Sequence, residues 1–237
     1  IIPIPGFSEP FSAWSHFIAA GLSLVGGYFL IRKGKGNALR ILALLLYTFT
    51  LIFLFSMSGV YHLLTPGETA RMVLQRLDHA GIWLLITGTF TPIHIMMFRG
   101  FWRWGILSTV WTIGITGLTL EVIFFTDIPE WLSLTFYLTL GWIGVLSAFR
   151  SVKIYGSEKL WLLLYGGLAY TIGAILDITR WPVLVTGVIG PHELFHIFVI
   201  AGASFHWAFI YRHADFPVVR KLVFYKQHCF LHWADTT

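Results

Sequence analysis

The chain contains 237 residues, of which 57% are hydrophobic and only 11% are charged. Soluble globular proteins carry about 25% charged residues, so this composition excludes a soluble domain and indicates a polytopic membrane protein. The formal net charge of +5 does not indicate nucleic-acid binding, because the basic residues lie in short loops between apolar runs, as topology signals do. The single cysteine, Cys229, excludes an internal disulfide and a cysteine-based metal cluster.

Seven apolar runs follow one another, each long enough for the ~20 residues that a helix needs to cross the hydrocarbon core. A backbone that spans a membrane must satisfy its own hydrogen bonds, which favours helix in every run. We therefore predict an all-α, seven-transmembrane-helix bundle: one membrane domain over residues 1–237, with a basic C-terminal tail at 212–237. The predicted spans are about 11–31, 39–64, 74–98, 101–125, 130–149, 160–178 and 191–211.

Lysine and arginine are distributed unequally between the two sides of this bundle. The loops after spans one, three and five, with the tail, carry thirteen: Arg32, Lys33, Lys35, Arg40, Arg99, Arg103, Arg150, Lys153, Lys159, Arg212, Arg220, Lys221 and Lys226. The other side carries three, Arg71, Arg76 and Arg180. Because positive residues favour the cytoplasm, we expect a cytoplasmic C-terminus and a non-cytoplasmic N-terminus.

Two histidines at the start of the seventh span predict a metal site. His192 and His196 are four residues apart, so both imidazoles lie on one helical face and can reach the same ion. Imidazole is a good ligand for Zn²⁺, which usually takes a third and a fourth donor.

The alternating direction of the spans supplies the third donor. His62 lies at the end of the second span and Asp78 near the start of the third, so both share a leaflet with His192 and His196. We predict that His62, His192 and His196 bind zinc, with a water in the fourth position. Ser58 precedes His62 by four residues and lies on the same helical face.

Asp78 and Ser58 are the predicted catalytic residues. An aspartate within a span is unfavourable unless it serves a function, and a carboxylate beside the metal can take a proton from water and return it to a leaving nitrogen. The alternative for Asp78 is an ion pair with Arg76 or a cap for the third helix. The alternative for Ser58, which could orient the water, is a hydroxyl bonded to the carbonyl four residues back.

Glu193 raises a competing interpretation. His192-Glu193-x-x-His196 matches the zincin signature, in which the glutamate is the general base. A membrane-embedded zinc protease is therefore a rival, although a separate carboxylate, Asp78, already lies on the third span.

The remaining polar residues give weaker predictions. His16 shares the leaflet of the site, either as a substrate contact or as an interfacial polar group, and Asp177 shares it as a possible partner of Arg180. His79 is predicted to be structural. Four further residues are predicted to lie away from the site: His94 and His206 near the opposite surface, and His228 and His232 in the tail beside Cys229.

Several motifs together resemble the progestin and adiponectin receptor superfamily, and in particular its bacterial haemolysin III branch. They are Ser58-Gly59-Val60-Tyr61-His62, Leu77-Asp78-His79-Ala80-Gly81-Ile82, Gly88-Thr89-Phe90-Thr91-Pro92 and His192-x-x-x-His196, with Glu9 and Ser15-His16 before them. The resemblance implies a zinc protein of the bacterial inner membrane, related to the alkaline ceramidases. It implies that His62, His192 and His196 bind zinc, that Asp78 holds the zinc-bound water, and that Ser58 lies behind the ligands. Adiponectin receptors turn this zinc face towards the cytoplasm, whereas the basic residues here predict that it faces outwards.

Three functions follow. The first is a zinc-dependent intramembrane hydrolase of a lipid amide, ceramide-like or another N-acyl lipid, with zinc-bound water as the nucleophile. The second is a seven-span receptor or sensor with a structural zinc site. A haemolytic pore, suggested by the branch name, ranks last because the leaflet away from the site lacks a polar stripe. A membrane lipid is the expected substrate or ligand, and no nucleic acid is expected.

Overall fold

The structure, a computed structural model, describes residues 1–155 and 160–216. Its helices are α1 (Pro10–Lys33), α2 (Ala38–Leu63), α3 (Thr69–Met97), α4 (Ile106–Ile123), α5 (Glu130–Trp142), α6 (Gly144–Tyr155), α7 (Trp161–Thr179) and α8 (Pro191–His213). One π-helical turn, Phe101–Gly105, leads into α4 and completes the fourth span, while α5 and α6 together form the fifth. In the described part of the chain, seven helical segments are thus long and apolar enough to cross a membrane, which confirms the predicted polytopic helical fold.

Local sequence accounts for several helix ends. Pro10 and Pro191 occupy the first turns of α1 and α8, where a missing N–H is tolerated. The side chain of Asn37 accepts a hydrogen bond of 3.0 Å from the Arg40 backbone and caps α2. α3 begins at Thr69 rather than near residue 74, so Asp78 lies in its third turn and is not a cap.

α3 is the central helix of the bundle. In the most apolar 18-residue stretch of α3, 83% of the residues are buried, against 50% or less in the corresponding stretch of every other span. α3 packs against α2, α4, α5 and α8. Many large apolar side chains on the other helices face outwards, Leu22 and Phe149 among them. In water such a surface would be unfavourable, but it suits a hydrocarbon solvent.

Hydrogen bonds bring several helix ends together on one side of the bundle. The backbone N–H groups of Ser8 and Glu9, just before α1, donate to the Leu63 and His62 carbonyls at the end of α2, at 3.2 and 3.0 Å. The Ile2 N–H donates to the Gly187 carbonyl before α8 at 2.7 Å. The ends of α2 and α7 therefore lie beside the beginnings of α1, α3 and α8.

Part of the predicted tail is described. α8 continues to His213, and Asp215 lies 3.8 Å from the Lys33 ammonium at the end of α1. Lys159, Arg220, Lys221, Lys226, His228, Cys229 and His232 lie outside the described residues.

Candidate metal centre

Three imidazoles from two helices converge at the side of the bundle where α1 begins. His62 lies in the last turn of α2, whereas His192 and His196 lie in the first two turns of α8. The Nε2 atom of His192 is 3.4 Å from Nε2 of His62 and 3.2 Å from Nε2 of His196. One ligand atom from each of the three residues lies within 4.8 Å of the other two.

These separations fit a tetrahedral metal ion. Two nitrogens that each lie 2.0–2.1 Å from zinc at a tetrahedral angle are about 3.3–3.4 Å apart. His62 and His196 are almost completely buried, so three lone pairs directed at one point would repel one another without help from solvent. A shared cation would turn that repulsion into attraction. The arrangement is therefore one that could hold a metal ion.

The outward nitrogens of two imidazoles face carboxylates. Nδ1 of His62 contacts the Glu9 carboxylate, and Nδ1 of His192 lies 3.2 Å from Oδ1 of Asp177. A carboxylate can only accept a hydrogen bond, so each neutral ring carries its proton on Nδ1. That tautomer directs the lone pair of Nε2 towards the shared centre.

His196 is held differently. Its ring stacks on His16 of α1, with centroids 3.9 Å apart and planes 18° from parallel. The His196 ring interacts with the Ser12 backbone and the His16 ring with the His196 backbone, whereas no carboxylate within the described residues contacts either ring. An ion in the plane of one ring cannot lie in the plane of a parallel neighbour, so this stacking makes His16 a support for His196 and not a ligand of the same ion.

Glu9 is also paired with an arginine. Nη2 of Arg71, in the first turn of α3, donates to Oε1 of Glu9 at 2.6 Å. Burial alone would raise the pKa of the Glu9 carboxyl, but the hydrogen bonds and charges of His62 and Arg71 outweigh burial and lower that pKa to about 2. Glu9 is therefore an anion at neutral pH.

Asp78 is half-buried in α3 on the side of the site. It acts electrostatically on His192 and Tyr61, yet its carboxylate makes no hydrogen bond or ion pair within residues 1–155 and 160–216. Its neighbour Arg76 instead donates to the Val122 carbonyl at 2.7 Å. The carboxylate of Asp78 thus remains available to another group.

Ser58 is buried on α2, one turn before His62. Ser23 and Thr48 bond to the carbonyls four residues back at 2.7 and 2.8 Å, as hydroxyls in membrane helices often do. Ser58 does not, and its hydroxyl has no other hydrogen-bond partner in the described part of the chain. The alternative that its hydroxyl bonds to the preceding turn therefore does not describe the structure.

Both carboxylate oxygens of Glu193 have local partners. One oxygen accepts the Gly190 N–H at 2.9 Å, a contact that caps α8, and the other accepts the Ser12 hydroxyl at 3.2 Å. A general base needs an oxygen that can reach the attacking water. These contacts favour a structural role for Glu193.

The other histidines are bonded away from the three imidazoles. His79 contacts the Gln75 carbonyl at 2.9 Å, His94 the Trp102 carbonyl at 2.6 Å, and His206 the Leu163 carbonyl at 3.2 Å.

Sequence reasoning did not assign the contacts from Glu9 to His62 and from Asp177 to His192. One signal was present: Glu9, Ser12 and His16 recur at helical spacing along the start of α1, and their partners are His62, Glu193 and His196. Asp177 gave no such signal, because its contact depends on how α7 packs against α8.

A profile of the family described as haemolysin-III related matches residues 7–207. Hemolysin-3 of Bacillus cereus is 28% identical over 195 residues, which cover 81% of this chain and 85% of that protein. The Hemolysin-3 homolog of Bacillus subtilis (strain 168) is 28% identical over 195 residues, covering 81% and 88%. Heptahelical transmembrane protein 5 of Arabidopsis thaliana is 28% identical over 174 residues, covering 66% of this chain and 46% of that protein. The matched region includes every motif that carried the resemblance, and the chain belongs to the haemolysin-III-related family of the progestin and adiponectin receptor superfamily.

Proposed function

We propose that the protein is a zinc-dependent intramembrane hydrolase of lipid amides, with His62, His192 and His196 as the zinc ligands. The observation that carries this proposal is the convergence of three Nε2 atoms, two pairs of which are separated by 3.2 and 3.4 Å, close to the spacing of ligands around tetrahedral zinc.

The charges around the imidazoles support a divalent ion. Four carboxylates contact or act electrostatically on the histidines, and two guanidinium groups contact those carboxylates. The formal balance leaves two negative charges, which a dication would offset. The groups are Glu9, Asp78, Asp177 and Glu193, with Arg71 and Arg180.

A bound zinc ion would polarise a substrate carbonyl and lower the pKa of water to about 7. The chain supplies the proton transfer: a carboxylate oxygen of Asp78 takes the proton of the attacking water and delivers it to the amide nitrogen as the C–N bond breaks. The unpartnered carboxylate of Asp78 suits this exchange. The free hydroxyl of Ser58 donates to the carbonyl oxygen or orients the water.

The position of the site supports a lipid substrate. The imidazoles lie within one or two turns of the helix ends, the depth at which the amide of an N-acyl lipid lies while its chains extend into the hydrocarbon. A groove of about 600 Å³ between α1 and α8 starts at the same end, where Pro10, Phe11 and Val188 line it. Its lining is almost entirely apolar, with Trp14, Ile18, Leu22, Ile197 and Ile200 among its residues. We assign an acyl chain to this groove.

A receptor or sensor with a structural zinc is the second candidate. The three proposed ligands come from α2 and α8 alone, and Asp78 lies outside hydrogen-bonding distance of their imidazoles. A metal there would hold these two helices together without any reaction. This candidate predicts that chelation lowers thermal stability while no lipid is hydrolysed.

The deciding experiment uses the full chain in lipid nanodiscs, with its metal measured by mass spectrometry. Ceramides and other N-acyl lipids are incubated with the protein, with and without chelator, and free fatty acid is quantified. We expect zinc-dependent release, and we expect Asp78→Asn to lower it by at least ~100-fold while zinc remains bound.

Asp127→Asn is the matched control, because Asp127 is an exposed aspartate in the loop between α4 and α5. It should hydrolyse lipid at the wild-type rate. Equal turnover by Asp78→Asn would contradict the role of Asp78. Zinc-loaded protein that hydrolyses none of the lipids would favour the structural zinc.

A further inference from the structure

We infer that two arginine-anchored carboxylates, Glu9 and Asp177, are positioning residues that set the metal affinity of the site. Each carboxylate and its arginine are here called an arm, and the Glu9–Arg71 arm contributes more to the affinity than the Asp177–Arg180 arm. This inference rests on the proposed metal site but not on hydrolysis. It concerns how His62 and His192 are held before any ion binds.

The two arms share one plan. In the first, Arg71 donates to Glu9 at 2.6 Å, and Glu9 accepts from Nδ1 of His62. In the second, Arg180 donates to Asp177 at 3.3 Å, and Asp177 accepts from Nδ1 of His192 at 3.2 Å. Neither arm lies on the helix of its histidine. Glu9 precedes α1 and Arg71 lies at the start of α3, while Asp177 and Arg180 lie at the end of α7.

A carboxylate behind a metal-binding imidazole has two effects. It holds the ring in the orientation and tautomer that present Nε2, and its negative charge makes that nitrogen a stronger donor. Losing such a partner typically weakens metal binding by about 10–100-fold. Glu9 and Asp177 are therefore expected to act on affinity without touching the ion.

The arms differ in how firmly their arginines are held. The Arg71 side chain is only 9% exposed, donates also to the Leu64 carbonyl, and stacks over the Tyr61 ring at 4.6 Å. The Arg180 side chain is 59% exposed and is shared with Glu130 at 2.5 Å. Exposed ion pairs are weak and are screened by salt, whereas a buried arginine fixes its carboxylate. Arg71 should thus matter for metal affinity, and Arg180 should matter little.

The third histidine has neither arm. His196 stacks on His16 and interacts with the Ser12 backbone, and no carboxylate among the described residues contacts its ring. The affinity of the site is consequently left to the two carboxylates that do face an imidazole.

The test measures zinc affinity by competition with a chromogenic chelator, using the full chain in detergent. Glu9→Gln and Asp177→Asn should each weaken zinc binding by about 10–100-fold. Arg71→Gln should weaken it by at least ~10-fold, while Arg180→Gln should stay within about threefold of wild type. Asp127→Asn is the matched control, because Asp127 is an exposed aspartate that pairs with no histidine or arginine within the described residues, and it should leave the affinity unchanged.

Cobalt provides a readout that a merely structural role would not move. Co²⁺ bound to the same site absorbs in the visible range, and a change in imidazole orientation or donor strength shifts that spectrum. Glu9→Gln should shift the absorption, and Asp127→Asn should not. If Glu9→Gln does not yield folded protein, Arg71→Gln tests the same arm with every imidazole contact in place.

Wild-type affinity and an unshifted cobalt spectrum in Glu9→Gln and Asp177→Asn would overturn the inference. A loss of affinity in Arg180→Gln as large as in Arg71→Gln would overturn the inequality of the arms. If the variants lose zinc affinity as expected but no lipid is hydrolysed, the proposed hydrolase activity is wrong and this inference stands. If lipid is hydrolysed but the variants bind zinc as tightly as wild type, this inference is wrong and the proposed activity stands. A wild-type protein that binds no zinc would remove both.

Discussion

Glu121 is a buried carboxylate that the metal site does not use. It is 4% exposed on α4, where it accepts the Trp83 indole N–H at 2.5 Å and the Tyr137 hydroxyl at 2.6 Å. Within the described residues no cation pairs with it, so two neutral donors from α3 and α5 satisfy it. A polar group at this depth is unfavourable unless its hydrogen bonds are complete. Glu121 therefore fastens three helices together.

Tyr137→Phe should destabilise the bundle. It removes one of the two donors and leaves the Glu121 carboxylate with Trp83 alone, at an expected cost of about 1–3 kcal/mol in the free energy of unfolding. Thermal unfolding in detergent, followed by tryptophan fluorescence, measures the effect. Tyr165→Phe is the control and should leave stability unchanged, since Tyr165 is 48% exposed and its ring contacts with Trp161 and Phe205 are ones that phenylalanine would keep. A Tyr137→Phe protein as stable as wild type would show that Trp83 alone satisfies Glu121.

At the scale of residues, the sequence predicted that three imidazoles converge, but it did not predict which carboxylates contact them. A four-residue spacing dictates that His192 and His196 share a helical face, and the direction of each span dictates the leaflet of His62. No periodicity dictates that Glu9, before the first helix, reaches His62. That contact depends on where α1 begins and on the hydrogen bonds that place it against the end of α2.

The pairing of α2 with α3 positions His62 relative to Asp78, and it depends on close approach. An added Cβ at Gly81 of α3 would lie 3.0 Å from Cα of Leu54 in α2. Because this neighbour is backbone, no change of rotamer would relieve the contact, and the helices would have to separate.

Gly81→Ala should consequently lower the stability of the protein. Overpacking of this kind costs about 1–3 kcal/mol, partly offset by the better helix propensity of alanine. Gly167→Ala is the matched control, since a Cβ at Gly167 of α7 meets no atom within 4 Å. It should be neutral or stabilising by up to about 1 kcal/mol. Both are measured by unfolding in detergent; equal stability of the two variants would contradict the tight α2–α3 contact.

The presence of the seven spans was easier to predict than the irregularities within them. The length of apolar sequence needed to cross a bilayer fixes the seven spans, because no shorter run can bury its backbone in lipid. The division of the fifth span between Trp142 and Gly144, and the π-helical turn before α4, have no counterpart in hydropathy. They depend on packing: the Trp142 indole donates to Thr171 of α7 at 3.0 Å.

For the whole molecule, the unequal distribution of lysine and arginine between the two sides predicts the orientation in the membrane. The three arginines on the side of the metal site are all engaged: Arg71 and Arg180 with carboxylates and Arg76 with the Val122 carbonyl. The opposite side carries most of the basic residues, and these favour the cytoplasm.

We therefore expect the metal site to face away from the cytoplasm, opposite to the zinc face of the adiponectin receptors. The test labels single cysteines in intact cells with a membrane-impermeant maleimide, after Cys229→Ser removes the native thiol. Glu68→Cys, in the exposed loop between α2 and α3, should be labelled from outside. Lys35→Cys, in the exposed loop between α1 and α2, should be labelled only after the cells are permeabilised. The reverse pattern would place the imidazoles on the cytoplasmic side. The substrate amide would then have to come from the inner leaflet, and the basic loops would face outwards against the rule that governs them.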